Sequence, residues 1–108
     1  MTQHIVVFVT AGSEAEAETI AKALVEEHLA ACVNIVSPIR SFYRWQGRIA
    51  DEREWLLMIK TQADVFDALA TRVRTLHSYE VPEVIALPIL AGAQNYLDWI
   101  QQETRGDD

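Results

Sequence analysis

Among 108 residues there is one cysteine, and glycine and proline number only four and three. Cys32 alone excludes an intrachain disulfide, which fits a reducing compartment. In AACVNIV it reads as a small buried apolar side chain rather than a reactive thiol. No C-x-x-C and no histidine pair at i, i+4 occurs, so no strong metal or redox motif is present. Basic residues are also scarce, 9 Lys and Arg against 16 Asp and Glu. The resulting net charge of −7 has the wrong sign for neutralising phosphates, so nucleic acid is not an expected partner. No run approaches the roughly 18 apolar residues of a membrane span, and the start MTQHIVVFVT lacks a basic n-region. A cytoplasmic protein without a membrane partner is expected. With half its residues hydrophobic and no linker-like tract, the chain reads as one domain over 1–108, with a core about 4–100 and a frayed tail ETRGDD.

What is present is periodic. His4 to Thr10, HIVVFVT, is β-branched and apolar, as in a strand buried on both faces. Ser13 with Glu16 forms a capping box that starts a helix, and Ala17, Ile20, Ala21, Leu24, Val25 and Leu29 mark its buried stripe to an end near Leu29. A second strand covers about Cys32 to Val36, with Pro38 closing it. IRSFYRWQGRIADEREWLLMIKT then forms a long hairpin around Gln46 and Gly47. Thr61 with Asp64 repeats the capping pattern, and Phe66, Leu69, Val73 and Leu76 line a second helix ending around His77. Glu83 to Ile89 is a fourth strand. Asn95 with Asp98 caps a short terminal helix that turns Tyr96, Leu97 and Ile100 inward.

The pattern strand, Thr, capped helix occurs twice, in VVFVTAGSEAEAETIA and LLMIKTQADVFDALAT. Two β-α-β units joined by a hairpin give the α+β, ferredoxin-like split β-α-β: an antiparallel sheet with two helices on one face. The other face stays bare and apolar, so an oligomer of identical chains is expected, the alternative being a monomer whose short terminal helix covers that face.

ACVN at Ala31 to Asn34, YRWQG at Tyr43 to Gly47, IKT at Ile59 to Thr61, HSYEVPE at His77 to Glu83 and YLDW at Tyr96 to Trp99 together resemble the CutA family of divalent-cation tolerance proteins. That resemblance implies a homotrimer, a cytoplasmic location and a role in the response to metal ions, with copper binding in some members. It also implies copper ligands: a cysteine late in the first strand and two adjacent histidines. Here those positions hold Val9, Leu76 and His77. One donor of three remains, so any copper or other divalent cation is expected to bind weakly, at His77.

The residues themselves leave His77 two roles, a metal ligand or a cap on the end of the second helix. Tyr43, Trp45, Lys60, Tyr79, Glu80 and Glu83 are candidates for a cleft between subunits, with Glu80 alternatively pairing across a subunit boundary with an arginine such as Arg40 or Arg44. Thr10 to Ser13 precedes a helix and is a weak anion-binding signal. No nucleophile with a positioned base and no glycine-rich phosphate loop is present, so an enzyme is not expected. Two functions stand: a metal-tolerance protein, or a trimeric small-molecule sensor similar to the PII signalling proteins.

Overall fold

The computed structural model describes residues 3–104. Strand β1 (His4–Ala11) leads into helix α1 (Glu14–Glu26), and β2 (Cys32–Trp45) turns back into β3 (Arg48–Gln62). A 3-10 turn at Ala63–Val65 feeds α2 (Phe66–Leu76), followed by β4 (Val84–Pro88) and α3 (Gln94–Glu103). The four strands pair antiparallel in the order β2-β3-β1-β4. Helices α1 and α2 thus each connect two strands that are consecutive in sequence but separated in the sheet by a third, as two interleaved β-α-β units require.

Alternation along β1 separates two environments. Ile5, Val7, Val9 and Ala11 are buried against Ile20 and Leu24 of α1 and Leu69 and Val73 of α2. The register places Leu57 and Ile59 of β3 in that same core. Val6 and Phe8 point the other way, in register with Leu87 and Ile85 of β4 and with Lys60 and Met58 of β3. That second face is apolar: Val36, Ile85 and Leu87 are 42%, 49% and 42% exposed.

The start of α1 is half as expected. The Ser13 side chain accepts the Glu16 amide at 3.1 Å, but the Glu16 carboxylate turns away toward His77 instead of closing the box. The helix stops at Glu26, before Leu29, because His28 adopts φ 61 and the amides of His28 and Leu29 fold back onto the carbonyls of Val25 and Leu24. This is a Schellman ending, with histidine in the place usually held by glycine. The Thr61–Asp64 cap does not form. Thr61 is fully buried in β3 and donates its hydroxyl to the Leu29 carbonyl at 2.8 Å, so it ties the sheet to the loop after α1.

Pro38 does not close β2. The register jumps between Val36↔Leu56 and Ile39↔Glu54, a bulge in which proline has no ladder bond to donate, and the strand runs on to Trp45. At the hairpin tip Gln46 and Gly47 have φ 51 and 79, the two left-handed residues of a tight two-residue turn. Strand β4 is shorter than Glu83 to Ile89. Helix α3 starts after Ala93 with no side-chain cap, because Asn95 already lies inside the first turn. Its Ile100 is buried and Leu97 half-buried, whereas Tyr96 is 42% exposed. The expected frayed tail lies beyond residue 104, except for Glu103 and Thr104. Thr104 is buried and accepts Gln62 Nε2 at 2.8 Å.

Candidate functional site

His77 is the residue after α2. Its amide caps the Val73 carbonyl at 2.9 Å, and its side chain, with no exposed surface, reaches across to β1. Nε2 lies 2.7 Å from the Thr10 carbonyl, which can only accept, so Nε2 carries a proton. Nδ1 accepts the Tyr79 amide at 3.0 Å. Glu16 Oε2 sits 3.2 Å from the same Nδ1 and has no hydrogen-bond donor of its own. Ion pairing with Glu16 and acceptance from Tyr79 cannot both use Nδ1, and the Tyr79 amide, fixed by the backbone, decides for the Nε2–H tautomer. The imidazole thus pins the loop after α2 to β1, with both nitrogens engaged.

The donors that would complete a copper site do not fit one. Val9 is fully buried among core residues and Leu76 is packed against the same core. Among the described residues no three His, Cys, Asp or Glu side chains gather in a group able to hold a metal ion. Cys32 is half-buried rather than enclosed, with Sγ 3.7 Å from Asn34 Oδ1 on the apolar sheet face.

Beyond His77 the loop opens a cavity of about 660 Å³ against the hairpin. Tyr43, Trp45, Tyr79, Glu80 and Glu83 all line it, and Glu52, Glu54, Ser41 and Thr10 complete its polar wall. Lys60 is elsewhere. It lies six residues along β3 from Glu54, about 20 Å away, where its ammonium meets Asn34 Oδ1. The bulge makes this cleft: by adding one residue to β2 it brings Ser41, Tyr43 and Trp45 onto the face of Glu52 and Glu54.

Two phenol–carboxylate pairs organise the wall. Tyr79 donates to Glu54 Oε2 at 2.9 Å, and Tyr43 donates to Glu52 Oε1 at 3.0 Å. Glu54 is only 5% exposed. Burial, and then the Glu54 carboxylate, push the Tyr79 phenol up. For Tyr43 the bond to Glu52 is the main cause of the same upward shift. Desolvation first, and the Glu54 charge second, raise the Glu83 carboxyl above its ordinary range. Close packing holds the loop in place, since a Cβ on Gly12 would meet Tyr79 Oη at 2.9 Å. Glu52 and Glu54 were not singled out from sequence. In RIADEREW they look like the solvated face of a hairpin.

A family model for the CutA1 divalent ion tolerance protein matches residues 5–103. The chain belongs to this family. The divalent-cation tolerance protein CutA of Thermus thermophilus is 54% identical over 99 residues, 92% of this chain and 96% of that one. Protein CutA of Mus musculus is 50% identical over 97 residues, 90% of this chain but 55% of the mouse protein, so the chain spans about half of that CutA. Among solved structures, the Thermus thermophilus Cut A1 protein superposes with TM-score 0.92 at 53% identity, covering 94% of this chain and 98% of that chain. The Archaeoglobus fulgidus CutA, described as periplasmic, superposes with TM-score 0.91 at 42% identity, covering 94% and 98%. No helix among the described residues is long and apolar enough to cross a membrane. The Thermus thermophilus and Archaeoglobus fulgidus relatives are named divalent-cation tolerance proteins, and the four-stranded antiparallel sheet with its helices is the CutA fold.

Proposed function

We propose that this chain acts in divalent-cation tolerance as a cytoplasmic homotrimer in which copper binds weakly. The observation carrying this reading is the second face of the sheet, where Val36, Ile85 and Leu87 are exposed beside the half-buried Val6, Phe8, Leu56 and Met58, an apolar surface that α1 and α2 leave uncovered and that α3 meets at its His4 and Gln62 end. Self-association is the simplest way to remove it from water, and the CutA resemblance supplies the number three. Light scattering should give about three times the 12.2 kDa of one chain. Ile85→Glu, at a position exposed in the single chain, should reduce the particle toward one chain without unfolding it. A wild-type particle of one chain's mass refutes the assembly.

Copper binding is modest in this reading because one imidazole with both nitrogens engaged is a poor cage for a soft ion. Cu(II) titrated into the protein should bind at His77 only at the expense of the Tyr79 contact, and His77→Ala should remove that binding. Val9→Cys with Leu76→His should strengthen it. Tight binding that survives His77→Ala would place the ligands elsewhere, with His4 and His28 the first to test. One observation favours a second reading, a ligand-binding sensor of the PII type: the cleft lies within the range of about 300–1,000 Å³ typical of small-molecule sites.

A further inference from the structure

We propose that the cleft between the hairpin and the Tyr79–Glu83 loop binds a small elongated organic cation, an alkyl amine or guanidine. This rests on the second reading above, that the cleft takes a ligand, and not on the trimer or on copper. Four carboxylates line the cavity, Glu52, Glu54, Glu80 and Glu83, and no lysine or arginine does. Among the described residues none of the four is paired with a basic side chain. Glu54 is the decisive one: it is 95% buried, and its hydrogen-bond donor is a neutral phenol. A buried carboxylate without a countercharge is costly, and a cation entering the cleft removes that cost.

The type of cation follows from three further features. The carboxylates are too dispersed to close on a metal ion, as no group of three acids gathers among the described residues. A ligand several bonds long can meet them in turn. The phenols of Tyr79 and Tyr43 each occupy one oxygen of Glu54 and Glu52 and leave the second open to a ligand N–H. Tyr43 and Trp45 sit on the face of these acids and offer ring surfaces to a guanidinium or ammonium. The hairpin already shows this chemistry on its other face, where the Arg40 guanidinium lies 4.9 Å from the Phe42 ring centroid while bound by Asp51. Desolvation first, and the Glu54 charge second, raise the Glu83 carboxyl, and a bound cation would offset the second of these.

The test is calorimetric titration of the intact protein with agmatine, which carries a guanidine and an amine, with butylurea as the neutral control and glutarate as the anionic one. Agmatine should saturate one site per chain and quench or shift the tryptophan emission, a change that Trp45→Leu should remove, while the controls do neither. Glu54→Gln should weaken binding by about tenfold, as loss of a charged hydrogen bond predicts. Glu80→Gln, at an exposed residue, and Trp45→Leu should each weaken it by about threefold, and these keep the test open should Glu54→Gln fail to fold. No saturation by about 10 mM, equal binding of butylurea, or unchanged affinity in all three variants overturns the proposal. So does tighter agmatine binding in Arg40→Ala or Arg44→Ala, which would show that an arginine of another copy fills the cleft. Light scattering on the same samples reports assembly separately, so failure of the trimer and failure of the site are distinguishable.

Discussion

Tyr79→Phe removes one oxygen and leaves the ring, which isolates what the phenol does for Glu54. In the wild-type chain that phenol donates at 2.9 Å to a carboxylate that is 5% exposed. Water cannot readily take its place, so the variant loses a hydrogen bond to a charged group and strands a buried acceptor. Such a loss costs about 1.5–3 kcal/mol. Tyr43→Phe is the internal control, because it breaks a similar 3.0 Å bond at a tyrosine 37% exposed and a glutamate that is itself exposed. There solvent substitutes, and the change should stay within about 0.5 kcal/mol. Urea unfolding at one fixed protein concentration separates the two, since self-association makes apparent stability concentration-dependent. With a slope of about 2 kcal/mol per molar, Tyr79→Phe should move the midpoint down by roughly 1 M and Tyr43→Phe by no more than about 0.25 M. Equal midpoints for the two variants would mean that Glu54 is hydrated, and would remove the buried uncompensated charge from the account of the cleft.

Glu83→Gln should be more stable than wild type at neutral pH. Because its folded value is raised above the ordinary 4.5, the folded chain gains from the proton below that value, and ionisation erodes stability as pH rises through the folded value. The advantage of the variant should therefore vanish in denaturation curves taken below pH 4.5; an advantage independent of pH contradicts the assignment. Thr61→Val leaves the Leu29 carbonyl without its buried donor, and should lower stability by about 1–3 kcal/mol by chemical denaturation despite matching threonine in shape. Leu57→Ala, at a fully buried position under both helices, should cost about 2–5 kcal/mol in the same measurement.

Local chemistry made much of the fold legible. The stripes Ala17, Ile20, Leu24 and Leu69, Val73 recur at helical spacing because each helix must bury one side, and they are the stripes that meet the sheet. Gln46-Gly47 announces its turn because glycine tolerates the left-handed region a tight hairpin needs. The doubled strand, Thr, helix pattern conveyed the interleaved units. Capping was less transferable. Ser13 caps α1, but Thr61 fits the same pattern and is instead held inside the sheet by the Leu29 carbonyl, a partner 32 residues away. A hydroxyl takes whichever buried acceptor the tertiary fold offers, and the sequence window does not contain it.

The site was divided in the same way. His77, Tyr79, Glu80, Glu83, Tyr43 and Trp45 were visible as residues, since such side chains at a helix stop and on a hairpin stand out. Their neighbours were not, because the contacts of Glu16 with His77 and of Glu54 with Tyr79 span 61 and 25 positions of sequence. The bulge between Val36 and Ile39 decided the rest. Strand alternation alone, carried through without a shift from Val36↔Leu56, would have set Pro38 and Arg40 opposite Glu54 and Glu52 and sent Tyr43 and Trp45 to the opposite face. One extra residue in β2 reverses that parity and builds an acidic aromatic cleft, while the same count along β3 carries Lys60 out of it. Period two fixes which residues of a strand share a face, but only the paired register fixes which face of the neighbouring strand they share.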